Sequence, residues 1–191
     1  MSKLYFFIAF ILSGIFFNPL HAQIKKGEFI NASIGLGVSS PVNQDEHEVT
    51  GTGFYAQAEY VYNPLSWVGV RPYAGIIIAS DELDEEGVPK YKAKSNAALL
   101  GVKIRVAAPI PYVAPFIESG VGMSVGSFET YTSYTDLKKN GVLLHIPFTF
   151  GLAIGRNHDY EVKFTYYYHD AVDQFSGAAA IGISFPINEN Q

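Results

Sequence analysis

Hydrophobic and polar residues alternate along this chain with a period of two, the pattern of strands that have one apolar and one polar face. Over residues 29–39, Ile30, Ala32, Ile34, Leu36 and Val38 share one side, and Asn31, Ser33, Gly35, Gly37 and Ser39 share the other. The same alternation runs through residues 53–62, 67–80, 97–107, 112–126, 142–154, 160–169 and 177–187. Eight strands are predicted. Helical periodicity is nowhere sustained, and after residue 22 no stretch approaches the roughly 20 consecutive apolar residues of a membrane helix. The connections alternate too: 63–66, 108–111 and 156–159 are tight, whereas 40–52, 81–94 and 127–141 are long and polar.

The position of the charges decides what surrounds such strands. Glu59, Arg71, Lys103, Arg105, Glu118, Glu161 and Lys163 all fall on the face opposite the apolar stripe. A soluble eight-stranded barrel has apolar side chains inside and charges outside; the reverse arrangement is required only of a barrel surrounded by lipid. The expected fold class is therefore all-β, an eight-stranded antiparallel up-and-down transmembrane β-barrel, with short turns and both termini on the periplasmic side. Tyr60, Tyr62, Tyr160 and Phe185 near the short turns, with Phe54, Tyr166 and Tyr168 near the long loops, predict two outward aromatic girdles. Pro72, Pro115 and Pro147 lie inside segments, where each removes a ladder donor, and predict bulges or weak spots.

Composition narrows the function classes. The chain has 191 residues, a formal charge of −5 and no cysteine, so thiol catalysis, thiolate zinc sites and disulfides are excluded. An acidic balance argues against nucleic acid as a partner. Lys3, the apolar stretch 4–17 and the exit Asn18-Pro19-Leu20-His21-Ala22 read as a secretory signal peptide over residues 1–22, leaving residues 23–191 as one barrel domain.

Four segments carry a family resemblance: Ala32-Ser33-Ile34-Gly35-Leu36-Gly37, Val70-Arg71-Pro72-Tyr73-Ala74-Gly75, Ala114-Pro115-Phe116-Ile117-Glu118-Ser119-Gly120-Val121-Gly122 and Ala180-Ile181-Gly182-Ile183-Ser184-Phe185. On these the chain resembles the small eight-stranded outer-membrane β-barrel family, the OmpX-like and OmpA-transmembrane-like proteins. The resemblance implies the outer membrane of a Gram-negative bacterium and, as partners, outer-membrane lipids and lipopolysaccharide. The chain departs from the family's usual terminal aromatic, since Pro186-Ile187-Asn188-Glu189-Asn190-Gln191 follows Phe185.

Eight strands enclose a space that side chains can fill. Three acids and four bases in its periplasmic half predict a mutually paired network that plugs the lumen, against the alternative of a narrow porin-like channel. His169, in Tyr166-Tyr167-Tyr168-His169-Asp170 with Asp173 and Ser176 following, is the one enzymatic candidate. It faintly resembles the lipid A deacylase barrels, in which a Ser nucleophile stands two positions after the His; here Ala171 stands there. No catalytic residue is therefore assigned. His145 is expected to be a hydrogen-bonded lumen residue, and His47 and His158 to be solvated. Asp81, Glu82, Asp84, Glu85 and Glu86, with Asp45, Glu46 and Glu48, form an expected acidic rim. The loop bearing Phe128, Tyr131, Tyr134, Lys138 and Lys139 is expected to expose aromatics for contact. No cofactor or metal motif occurs. The expectation is a monomeric, non-enzymatic barrel serving envelope integrity or meeting a protein or surface ligand through its loops.

Overall fold

The structure is a computed structural model describing residues 26–41, 50–83, 91–131, 136–169 and 174–187. The expected leader over 1–22 lies outside the described residues, as do Asp45, Glu46, His47, Glu48, Asp84, Glu85, Glu86, Tyr134, Asp170, Ala171 and Asp173. The strands are β1 (Gly27–Pro41), β2 (Gly51–Asn63), β3 (Val68–Leu83), β4 (Tyr91–Ala107), β5 (Val113–Tyr131), β6 (Asp136–Ile154), β7 (Tyr160–His169) and β8 (Gln174–Pro186). They pair antiparallel in chain order, and β8 closes on β1 from Phe29↔Pro186 to Pro41↔Gln174. The fold is the predicted eight-stranded up-and-down transmembrane barrel. No helix among the described residues is long and apolar enough to cross a membrane.

Alternation follows the predicted phase throughout. Ile34, Leu36, Ile104, Val121, Leu144 and Ile181 face outward, Val121 with 71% and Leu144 with 78% of its surface exposed. Such exposure of large apolar residues all around a barrel would be prohibitive in water and is what lipid contact requires. Tyr60, Tyr62, Tyr160 and Phe185 point outward at the short-turn end, and Phe54, Tyr166 and Tyr168 at the other.

No bulge forms at the internal prolines. Pro72 pairs with Val102 of β4, while the β2–β3 ladder skips from Glu59↔Tyr73 to Tyr62↔Val70 in unchanged register. Pro147 likewise pairs with Tyr167 of β7, and the β5–β6 ladder skips from Ser119↔Phe148 to Gly122↔His145. Proline lacks a single donor, so the ladder weakens on one side and no extra residue is inserted. Pro115 sits near the start of β5, where its carbonyl accepts from the Ala108 N–H at 2.9 Å.

Two further expectations need correction. Most of the predicted loop 127–141 is strand: β5 and β6 each run 19 residues, against 10 for β7. A membrane strand needs roughly 9–11 residues, so hydrophobic alternation marked only the lipid-embedded part of this hairpin. Phe128 faces inward here and is fully buried, not exposed. His158 is buried too, because its Nε2–H donates to the Ile110 carbonyl at 3.0 Å and so ties two short turns together. Its turn relies on Gly155 at φ 106, a left-handed position that suits glycine.

The lipid-facing assignment predicts a depth-dependent cost for arginine. Val121→Arg should destabilise the barrel by about 2–4 kcal/mol and Ser80→Arg, at the rim, by about 0–1 kcal/mol. Urea unfolding of protein refolded into phospholipid vesicles measures both, and equal costs would contradict the assignment.

Candidate functional site

The inward faces of β2, β3, β4, β5 and β7 bring the seven predicted lumen charges to one level, in the half of the barrel nearer the short turns. All seven are buried, and Lys103 and Lys163 are fully so. Their contacts make a closed ring of alternating sign. Glu59 meets Lys103 at 3.0 Å, and Lys103 meets Glu118 at 2.6 Å. Glu118 meets Arg105 at 2.6 Å, and Arg105 grips Glu161 with two parallel N–H···O bonds of 2.6 and 2.9 Å. Glu161 lies 3.8 Å from Lys163, which returns to Glu59 at 2.7 Å. Arg71 is the hub. Its guanidinium reaches Glu59 at 3.0 Å, Glu161 at 3.2 Å and, as an ion pair too long for a hydrogen bond, Glu118 at 3.7 Å.

Each cation thus faces at least two carboxylates, the condition under which charges removed from water are compensated. Arg71 and Lys103 are direct cross-strand partners, a like-charge pairing that would be unfavourable alone. Glu59 lies against both. Below the ring, the Arg105 guanidinium stacks on Phe116 with its centre 3.5 Å from the ring centroid. Lys163 also donates to Asn31 Oδ1 at 3.3 Å.

Glycines make room for these side chains. Lys103 lies opposite Gly120, Arg105 opposite Gly69, Lys163 opposite Gly151, Glu161 opposite Gly182, Tyr73 opposite Gly101 and His145 opposite Gly122. A Cβ on Gly122 would collide with the Tyr73 hydroxyl, the His145 ring and the Leu100 carbonyl. Pairing large with small residues across neighbouring strands is how a narrow barrel is filled.

A second, uncharged layer lies above the ring. Gln57 donates to Glu59 at 2.7 Å and accepts from the Tyr167 hydroxyl at 2.7 Å, and Tyr167 meets Tyr55 at 3.1 Å. Beside them runs a chain that the sequence reading did not assemble. Tyr73 Oη contacts His145 Nε2 at 2.5 Å, His145 Nδ1 contacts Ser124 Oγ at 2.7 Å, and Ser124 Oγ contacts His169 Nε2 at 2.8 Å. Ser124 gave no signal in the sequence beyond being one small inward residue in a glycine-rich strand. The proposed partner Ser176 is elsewhere, donating to Ser95 Oγ at 2.9 Å.

His169 is therefore a fully buried lumen residue against the Phe128 ring, 4.9 Å between centroids. No cluster of three or more metal-ligating side chains occurs among the described residues. At the far end of the barrel Glu129 lies between Lys92 at 2.8 Å and Lys138 at 3.1 Å.

No protein-family model matches the chain, and no curated sequence matches it. Solved structures do. Neisserial surface protein A superposes with a TM-score of 0.58 at 11% identity, over 85% of this chain and 98% of that one. The outer membrane protein OprG of Pseudomonas aeruginosa gives 0.54 at 15% identity, over 86% and 99%. The attachment invasion locus protein Ail of Yersinia pestis, solved with the heparin analogue sucrose octasulfate, gives 0.48 at 18% identity, over 84% and 100%. At these identities the likeness is one of fold.

Removing the hub breaks three buried ion pairs at once. Arg71→Met is expected to cost about 3–5 kcal/mol, as for other broken buried pairs, and Lys138→Met at the rim less than about 1 kcal/mol. Urea midpoints of the refolded barrels compare the two; similar small losses would mean that the ring contributes little.

Proposed function

We propose that this chain is a monomeric, non-enzymatic barrel of the Gram-negative outer membrane, exported by a signal peptide over residues 1–22, that acts at the cell surface with its lumen plugged. The observation that carries the surface role is an open strand edge. The β6–β7 ladder begins at Ile146↔Tyr168, so among the described residues β6 from Asp136 to His145 pairs with β5 alone. The β3–β4 and β4–β5 ladders run on to Leu83↔Tyr91 and Lys92↔Tyr131, so β3 to β6 form a sheet that rises past the β7–β8 hairpin. Among the described residues roughly 30 Å of this edge, at about 3.3 Å per residue, has no ladder partner, and such an edge is a template for a strand from a partner.

What supports the plug is the charge ring, whose ion pairs, spaced between 2.6 and 3.8 Å, link buried side chains from five strands. A channel is the second reading. A lipid A hydrolase is disfavoured by geometry, since His169 and Ser124 are fully buried and face the lumen, not the lipid. Envelope lipids and lipopolysaccharide remain the partners of the apolar band, and a surface protein or glycan that of the sheet.

Replacing residues 128–139 by Asn-Gly closes the hairpin on the Ser127↔Asn140 pair. Cells carrying this trimmed barrel should keep their detergent resistance and lose barrel-dependent attachment to protein- or glycan-coated surfaces. Unchanged attachment would remove the sheet from the function, and lost detergent resistance would move the role to envelope integrity. Mass spectra of lipid A should be identical with wild-type and His169→Gln protein.

A further inference from the structure

We propose that the uncharged layer above the ring is an acid-responsive latch, in which His145 and His169 clasp Ser124 while neutral and release it when both rings take up protons. The proposal goes beyond the surface role and does not depend on it.

Two imidazoles from adjacent strands aim at one hydroxyl. Ser124 Oγ lies 2.7 Å from His145 Nδ1 and 2.8 Å from His169 Nε2, and the ring centroids are 5.5 Å apart. With both rings neutral one continuous donor sequence satisfies all three contacts, in either direction. Tyr73 O–H donates to His145 Nε2, His145 Nδ1–H to Ser124 and Ser124 O–H to His169 Nε2, or His169 Nε2–H donates to Ser124, Ser124 O–H to His145 Nδ1 and His145 Nε2–H to Tyr73. His169 Nδ1 ends the chain, buried and without a partner.

A proton on each ring breaks this sequence. Both nitrogens facing Ser124 become donors, so in either direction the serine hydrogen loses its acceptor. Among the described residues the surroundings offer no counter-charge. From β3 comes Tyr73, from β5 Ser124 and Phe128, and from β7 Tyr167, whose ring is 5.0 Å from that of His145. From β2 comes Tyr55, bonded to Tyr167, and from β4 and β8 the Ser95–Ser176 pair. From the ring below, a cation, Lys103 Nζ, lies 5.3 Å from the Tyr73 centroid. The three lumen carboxylates are already shared among Arg71, Lys103, Arg105 and Lys163. Opening the layer to water solvates both imidazolium ions, so acid favours the open form and linkage sets its steepness by the number of protons taken up.

Amide hydrogen exchange of the full protein in phosphatidylcholine vesicles, corrected for the intrinsic pH dependence of exchange, tests this between pH 7.5 and 5. Opening around Ser124, His145 and Tyr167 should rise toward 100-fold per pH unit, while amides beside Glu59 and Glu118 stay protected. His145→Gln or His169→Gln alone should reduce the slope to about tenfold per unit, and the double variant should flatten it. A flat wild-type profile, or a double variant with the wild-type slope, overturns the latch. If the double variant does not fold, imidazole ¹⁵N shifts of the wild type decide: protonation in step with exchange supports the latch, and protonation without opening overturns it.

Discussion

A backbone in hydrocarbon has no water to satisfy its N–H and C=O groups, so every one must find a partner in the chain. Closing β8 on β1 meets that demand by leaving no edge within the apolar band. The rest follows from closure. Eight tilted strands enclose only a narrow lumen, and alternate residues of every strand must enter it. Polar side chains can be tolerated only on that inner side, where they must neutralise one another instead of being hydrated.

The ring is the solution this sequence adopts. Burial alone would make each of its seven charges costly, and an isolated pair inside a barrel contributes little net stability. The arrangement works because contacts are shared: three carboxylates serve four cations, and Arg71 spans all three. Glycines placed opposite the large residues let the side chains reach across without displacing backbone. The same ring that offsets its own desolvation ties five strands together, so packing, electrostatics and the proposed plug have one cause.

Much of this was legible in the sequence because strand alternation has a strict phase. Fixing the outward face at Ile104 or Val162 fixes Arg105 and Lys163 inward, and chain direction then places the charges toward the short turns. The order of residues around the ring was not legible, since it depends on stagger between strands, which alternation does not encode. The same gap hid the Ser124 contacts, because β5, β6 and β7 must be in register before Ser124, His145 and His169 meet. Period-two hydrophobicity also stops where lipid stops, although backbone pairing does not, which is why residues 127–131 and 136–141 read as loop and Phe128 as exposed. His158 read as solvated because a turn contact with the Ile110 carbonyl leaves no mark on composition.

The proposed plug leaves function to the surfaces outside the lumen, chiefly the β3 to β6 sheet, whose β6 edge has no second ladder from Asp136 to His145 among the described residues. The most direct test of that division is single-channel recording of the purified protein in a planar bilayer at neutral pH. A ring that plugs the lumen predicts no conductance steps above those of the bare bilayer. Regular steps whose size or ion selectivity changes with Glu59→Gln or Arg71→Met would contradict it and make the ring the lining of a channel.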